Sequence, residues 1–187
     1  MPATPTRPSW STRHSCLRTW LAAAALGLAC SAAPAQPKAA PDPWQQAQQL
    51  QQAGDAASAL KLAEAALAQT ARDARWRFLK GVLLADLGRA PEALEVFTRL
   101  SEDYPELADP LNNIGVIRAA EGRLDEARVA LEAAVRNDPR HRQARENLGD
   151  VYVRLAVRLW EALAQGPAAD AGLARKLALA RELAALR

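Results

Sequence analysis

The residues that most often act as nucleophiles, general bases or metal ligands are scarce in this sequence. Both cysteines, Cys16 and Cys30, lie within the first 35 residues, and the only later histidine is His141. The later serines are Ser58 and Ser101, so a nucleophilic Ser–His pair would have to join distant turns. One histidine does not start a metal cluster, and no glycine-rich phosphate loop is present. The sequence therefore predicts a protein that is not an enzyme and binds neither metal nor cofactor.

The first 35 residues have the pattern of a secretory signal peptide. Three arginines and no acidic residue precede an apolar run at 20–30, and Ala33-Pro34-Ala35 provides a small-residue cleavage site. The run is too short to span a bilayer, which needs about 20 apolar residues. We therefore predict cleavage after Ala35, export to the periplasm and no membrane span.

Two other interpretations of the leader stay open. Cys30 is a candidate for the lipidated cysteine of an outer-membrane lipoprotein, although Gly27 stands where such sites usually have leucine. An Arg- and Ser-rich leader without acidic residues also resembles an organelle transit peptide. The compact apolar run favours secretion over transit to an organelle.

Removal of residues 1–35 leaves a neutral chain without cysteine. The leader holds three of the 24 basic residues and none of the 21 acidic ones, so 21 of each remain. A neutral domain has no electrostatic footprint for nucleic acid or anionic lipid. The absence of cysteine also excludes disulfides and thiolate chemistry. We expect a protein or peptide partner and no nucleic acid.

Small residues recur with a period of 34 in the rest of the chain. The columns are Gly81, Gly115 and Gly149; Gly54, Gly88 and Gly122; Ala59, Ala93 and Ala127; and Pro105 and Pro139. A fixed period of about 34 is typical of a solenoid of helix–turn–helix units. We predict a Pro-rich tether at 36–43 and an array at 44–165, with units at 40–73, 74–107 and 108–141 and a degenerate unit at 142–165.

The small residues in these columns can be explained by the structure that each position requires. Gly115 lies within a predicted helix, where glycine costs about 1 kcal/mol relative to alanine. That cost indicates a close approach of the neighbouring helix, which we expect at Ala127. Gly88 and Gly122 fall where a helix ends and the chain reverses, which suits a left-handed C′ residue. Pro139 ends the second helix of its unit.

The units resemble the tetratricopeptide repeat (TPR) family. Residues that match the family pattern are Gly81, Gly88, Ala93, Phe97 and Pro105 in one unit, and Gly115, Gly122, Ala127, Ala134 and Pro139 in the next. The resemblance implies an all-α fold: a right-handed α-solenoid of antiparallel helix pairs with a concave groove. It also implies protein binding rather than catalysis.

The fourth unit departs from the repeat. Ala156 replaces its mid-unit glycine, and no glycine or proline occurs between Asp150 and Gln165. An apolar row continues through Leu148, Val151, Leu155, Leu159, Ala162 and Leu163. We predict one long helix over 142–165, followed by a capping helix within 166–187 that carries Leu173, Leu177, Leu183 and Leu186. The alternative is that the long helix projects and forms a partner or homo-oligomer surface marked by Trp160.

The TPR resemblance places the groove on the first helix of each unit. The candidate groove residues are Arg75, Phe78, Leu79 and Val82, then Asn112, Asn113 and Val116, then Glu146, Asn147, Asp150 and Arg154. Asn113 and Asn147 share a column in which an asparagine of peptide-binding TPRs can hold a ligand backbone. The alternative is that both asparagines are ordinary residues of the repeat consensus. Phe78, Leu79 and Val82 form either an apolar partner patch or core.

The columns that would clamp a C-terminal carboxylate carry Asn112, Glu146 and Asp150 instead of basic residues. The acids near Arg154 therefore indicate a mixed or cationic ligand. His141, just after Pro139, is interpreted as a solvated turn residue.

Taken together, these patterns predict a non-catalytic TPR scaffold or adaptor of the bacterial cell envelope, with a peptide segment or a partner protein in its groove. One alternative is an outer-membrane lipoprotein, anchored at Cys30, that assists pilus or envelope-machinery assembly. Another is a structural homo-oligomer built through the 142–165 helix.

Overall fold

A computed structural model describes residues 42–166 and 170–186, which form eight α-helices and no strand. The helices are α1 (Pro43–Gln52), α2 (Ala56–Gln69), α3 (Ala74–Asp86), α4 (Ala90–Asp103), α5 (Ala108–Ala120), α6 (Leu124–Asn137), α7 (Arg142–Ala164) and α8 (Ala171–Ala185). They belong to one compact unit that spans residues 40–187. The predicted signal peptide with Cys30, and the tether up to residue 41, lie outside the described residues.

The helices pair as α1/α2, α3/α4 and α5/α6, and the pairs stack as an all-α, right-handed TPR-type solenoid, which confirms the predicted fold class. The turns inside the three pairs are made by Gly54, Gly88 and Gly122, with φ of 81°, 73° and 77°. These left-handed conformations are strained for residues with a Cβ, so the predicted reason for this glycine column is confirmed.

Gly81 and Gly115 of the other glycine column mark close contacts within the α3/α4 and α5/α6 pairs. A Cβ built on Gly81 would lie 2.5–2.9 Å from ring carbons of Phe97. A Cβ on Gly115 would overlap Leu131, with the δ2 carbon only 2.8 Å away. The expectation that Ala127 makes this close approach was therefore wrong, because the group that fills the space is a large side chain one helical turn further on.

The hydrophobic core is broad in the first two units and narrow in the last two. Its largest cluster extends from α1 to α5 and includes Trp76, Leu83 and the fully buried Phe97. The second cluster, between α6 and α7, is built around Leu131 and Val151. These clusters lie within the compact unit of residues 40–187, which has the size of a single domain.

The long helix α7 and the helix that caps it are both present. α7 runs unbroken for 23 residues, about 34 Å at 1.5 Å per residue. α8 folds back on α7 and buries Leu173, Leu177 and Ala180. Its Arg181 also pairs with Glu161 of α7, with 2.6 Å between nitrogen and oxygen.

The apolar rows predicted for these two helices are only partly buried. Val151 and Leu155 are buried, but Leu159 and Leu163 are exposed at the end of α7. Arg158 of α7 pairs with Asp125, which places this part of α7 beside the first turn of α6. Leu183 and Leu186 of α8 are also exposed, so their predicted role in capping contacts was wrong.

A search of the described helices finds none that is both long enough and apolar enough to span a membrane.

Gly115→Ala should lower the stability of residues 40–187 by about 1–2 kcal/mol, because overpacking against Leu131 outweighs the gain in helix propensity. Gly149→Ala is the matched control, since a Cβ there meets no atom within 4 Å. The control should be neutral or stabilising by up to about 1 kcal/mol. Urea unfolding measures both, and equal effects of the two substitutions would contradict the close packing of α5 and α6.

Candidate partner-binding groove

A concave pocket of about 250 Å³ opens between α5 and α7, the first helices of the third and fourth units. The side chains that line it are Val116, Ala119, Ala120, Leu131, Asn147, Asp150, Val151 and Arg154. Leu131 and Val151 are buried and belong to the core beneath. The pocket therefore has an apolar floor with polar groups along the α7 side.

The polar groups come from one face of α7. Asn147, Asp150 and Arg154 are spaced three and four residues apart, which places them above one another on a helix. α7 is held against α6 by Tyr152, whose hydroxyl donates to Glu132 Oε1 at 2.9 Å. That bond raises the pKa of Tyr152, while Arg128 and then Tyr152 lower the pKa of Glu132.

A hydrogen bond between two asparagines joins the helices on the two sides of the groove. Asn147 Nδ2 donates to Asn112 Oδ1 at 2.8 Å, which joins α7 to α5. Asn112 is the one buried polar residue among the described residues, and this bond satisfies its carbonyl oxygen. The pair fixes the separation of the two helices and therefore the width of the pocket.

The charges in the pocket have no partners of their own. Across residues 42–166 and 170–186, no opposite charge lies within 4 Å of Asp150 or Arg154. By contrast, Arg142 and Glu146 one turn earlier pair with each other at 2.8 Å. Asp150 is exposed and Arg154 is half-buried at the edge of the pocket. They are available to a ligand.

The structure brings together four of the predicted groove residues, Val116, Asn147, Asp150 and Arg154. Glu146 is paired with Arg142 and lies outside this pocket. Asn113 turns back to its own helix, because its Nδ2 donates to Asp109 O at 2.9 Å. Asn113 and Asn147 therefore occupy one repeat column but make different contacts.

The predicted residues of the second unit are divided between core and surface. Leu79 is buried in the main cluster, and Phe78 packs on Phe97 with 5.7 Å between ring centres. Val82 is partly buried against the same cluster, so these three residues contribute to the core. Arg75 is exposed, and its guanidinium carbon lies 5.4 Å from the ring centre of Trp44.

Sequence reasoning missed Ala119 and Ala120 as lining residues. Both lie on α5, the first helix of the third unit, where the TPR resemblance places the groove, so this placement was the available signal. Their small side chains leave the pocket open between Val116 and Arg154. Trp160, further along α7, is partly buried.

His141 has a structural role that the sequence did not reveal. Its Nδ1 accepts a hydrogen bond from the backbone N–H of Ala144 at 3.1 Å, so it is the N-cap of α7. Nε2 then carries the proton and donates to Asp109 Oδ1 at 3.1 Å. The interpretation of His141 as a solvated turn residue was therefore wrong, since both ring nitrogens are bonded.

The repeat geometry and the groove between first helices define a class of protein-binding α-solenoid. The chain belongs to the tetratricopeptide repeat family, whose model matches residues 45–108 and 112–172. The family is generally a non-catalytic protein-interaction fold, and no enzyme family is indicated. A search of the curated proteins finds no match.

Solved structures with the same fold include TPR proteins from different sources. The second TPR domain of human RPAP3, in complex with an HSP70 peptide, is 16% identical over 59% of this chain and 92% of that one, with a TM-score of 0.54. MamA from Desulfovibrio magneticus RS-1 is 21% identical over 76% of this chain and 75% of that one, with a TM-score of 0.55. Naa15/Naa10 bound to HypK-THB is 16% identical over 75% of this chain and 22% of that one, with a TM-score of 0.54. At these identities the likeness shows the fold.

Asn147→Ala should destabilise residues 40–187 by about 1–2 kcal/mol, because it leaves the buried carbonyl oxygen of Asn112 without a donor. Asn113→Ala is the matched control from the same column and should change stability by less than about 0.5 kcal/mol. Urea unfolding of both variants measures the difference. A neutral Asn147→Ala would show that the α5–α7 bond does not hold the groove.

Proposed function

We propose that this protein is a non-catalytic adaptor that binds a peptide segment or a partner protein in the groove between α5 and α7. The observation that supports the proposal most strongly is the unpaired Asp150 and Arg154 beside an apolar floor. By comparison, Arg99 and Glu95 on the open surface of α4 pair with each other. A charge pair kept apart in a pocket is suited to an external ligand.

The chemistry of the groove favours a ligand of mixed character. Asp150 suits a basic side chain or a backbone N–H, and Arg154 suits a carboxylate or a backbone carbonyl. Val116 and the two alanines beside it suit a small or medium apolar side chain. The RPAP3 domain is in complex with an HSP70 peptide and Naa15/Naa10 is bound to HypK-THB, and the shared fold supports the same kind of use here.

The cell envelope is the proposed location. The arginine-rich start, the apolar run at 20–30 and the small-residue site before Gln36 support export to the bacterial periplasm through a cleaved signal peptide. An outer-membrane lipoprotein, anchored at Cys30 and assisting pilus or envelope-machinery assembly, is the alternative.

A homo-oligomer built through the 142–165 helix is a second candidate function. It is supported by the exposure of Leu159 and Leu163 at the end of α7. In that case Trp160→Asp should abolish a concentration-dependent increase of the hydrodynamic radius. An increase that survives this substitution would rule the helix end out as the contact.

A charge exchange in the groove tests the adaptor. Residues 40–187 serve as bait in envelope extracts. The double variant Asp150→Arg/Arg154→Asp reverses the two groove charges and leaves the net charge of the protein unchanged. The matched control exchanges Glu95 and Arg99, an exposed pair four residues apart on α4. We expect partners bound by the wild type and by the α4 exchange to be lost with the groove exchange. Identical partner sets for all three baits would contradict the proposal.

The intact mass of the chain, recovered from fractionated cells, tests the location. We expect a periplasmic chain whose mass begins at Gln36. Cys30→Ser should leave this mass unchanged. A lipid mass on Cys30 would establish the lipoprotein instead. An unprocessed chain in the cytoplasm would contradict export altogether.

A further inference from the structure

The end of the last helix lies beside the groove. Leu183 and Leu186 of α8 adjoin Asp150, Val153 and Arg154 of α7. Asp150 and Arg154 also line the pocket between α5 and α7. These two side chains therefore have α5 on one side and the end of α8 on the other. The groove is bounded by three helices, with α7 between the other two.

The contacts of α7 give the angle between its two neighbours in the groove. Asn147 bonds Asn112 of α5, and Val153 adjoins the end of α8. At about 100° per residue, Asn147 and Val153 point about 120° apart around the axis of α7, with Asp150 midway between them. Packed helices have axes about 8–10 Å apart, so the axes of α5 and α8 are about 14–17 Å apart at this angle. A further helix laid over Asp150 would contact all three at the ordinary packing distance.

The two outer sides of the groove are apolar. α5 contributes Val116, which is 42% exposed, with Ala119 and Ala120 beside it. α8 contributes Leu183 and Leu186, which are 56% and 71% exposed. Exposed apolar side chains that line a groove are typical of a binding site. The groove is therefore suited to a segment that presents apolar side chains to α5 and to α8 at once.

The backbone of a ligand finds few partners in this groove. Asn113 Nδ2 donates to Asp109 O at 2.9 Å, and Asn147 Nδ2 donates to Asn112 Oδ1 at 2.8 Å. Both amide nitrogens of the asparagine column are therefore bonded within the protein. An extended segment would bury backbone N–H and C=O groups against apolar sides without partners, which is costly. A helix bonds these groups internally, so the groove favours a helical ligand.

The unpaired charges of α7 indicate which charges the ligand carries. Asp150 and Arg154 are four residues apart in the order that favours an ion pair along a helix. Among the described residues, neither has an opposite charge within 4 Å. A ligand helix with a basic and an acidic side chain four residues apart matches this spacing. The basic residue comes first if the ligand runs parallel to α7, and the acidic residue comes first if it runs antiparallel.

We propose that the end of α8 is the third side of the groove and that the groove binds one amphipathic α-helix of a partner protein. The docked face of that helix carries apolar residues at spacings of three and four, with a basic and an acidic side chain between them. Asn147 and Arg154 are about 10 Å apart along α7, a length that corresponds to about two turns of the ligand. This inference rests on the proposed adaptor function and specifies the form of its ligand.

Selection from a displayed library of random peptides of about 16 residues, enough for about four helical turns, tests the form of the ligand. The bait is the full-length chain. We expect the enriched peptides to combine the apolar spacing and the charge pair described above, with no central proline, because proline breaks a helix. Enrichment of proline-containing peptides, or of peptides with alternating apolar residues, would show an extended ligand and overturn the proposal. So would the absence of any enrichment.

Leu183→Asp tests the α8 side, with an enriched peptide as the probe and fluorescence anisotropy as the measurement. The substitution should raise the dissociation constant at least about tenfold, because it replaces an apolar contact with a charge. Leu159→Asp is the matched control and should leave the dissociation constant unchanged. Leu159 is 64% exposed and lies about 180° from Asp150 around the axis of α7. Circular dichroism checks that both variants keep their helices, and equal dissociation constants for the two would overturn the proposal.

The groove charge exchange separates this inference from the adaptor function. Asp150→Arg/Arg154→Asp should abolish binding of the same peptide. If this exchange abolishes binding and Leu183→Asp does not change it, α5 and α7 bind the ligand without α8. The present proposal then fails while the adaptor function stands. If neither change affects binding, the groove is not the binding site and both proposals fail.

Discussion

The close contacts inside the α3/α4 and α5/α6 pairs are the constraint on which the rest of the structure depends. Gly81 admits the ring of Phe97 and Gly115 admits Leu131, each at a distance that no side chain on the glycine would allow. This contact sets the spacing between the helices of a pair, and each pair presents its first helix to the next unit. This stacking places α5 and α7, the first helices of the third and fourth units, side by side. The groove lies between them.

The same constraint explains why the array ends where it does. The residue 34 positions after Leu131 is Gln165, which lies beyond the last residue of α7. A Cβ built on Gly149 would have no contact within 4 Å, so no side chain packs against this glycine. Without a large side chain to insert there and without a glycine turn, the fourth unit forms one long helix instead of a pair. α7 can therefore present Asn147, Asp150 and Arg154 to the groove and still extend to meet α8.

The 34-residue period predicted the fold class, the left-handed turns and the unbroken α7, because these depend on local residues repeated in register. The groove was predicted less well. Val116, Asn147, Asp150 and Arg154 lie together as expected, but Leu79 is core, and Asn112 bonds Asn147 across 35 residues. The position of a residue in the repeat predicts which face of its helix it lies on. It does not predict which other residue it contacts. For the same reason the helix cap at His141 could be seen only in three dimensions.

Photo-crosslinking in living cells tests the central claim most directly, because it asks where a partner lies without isolating it. A photoreactive amino acid at Val116 faces the groove, whereas one at Val129 lies on α6, outside it. The adaptor account predicts a discrete crosslinked partner from position 116 and none from position 129. A partner captured only at position 129, or none at position 116, would contradict it.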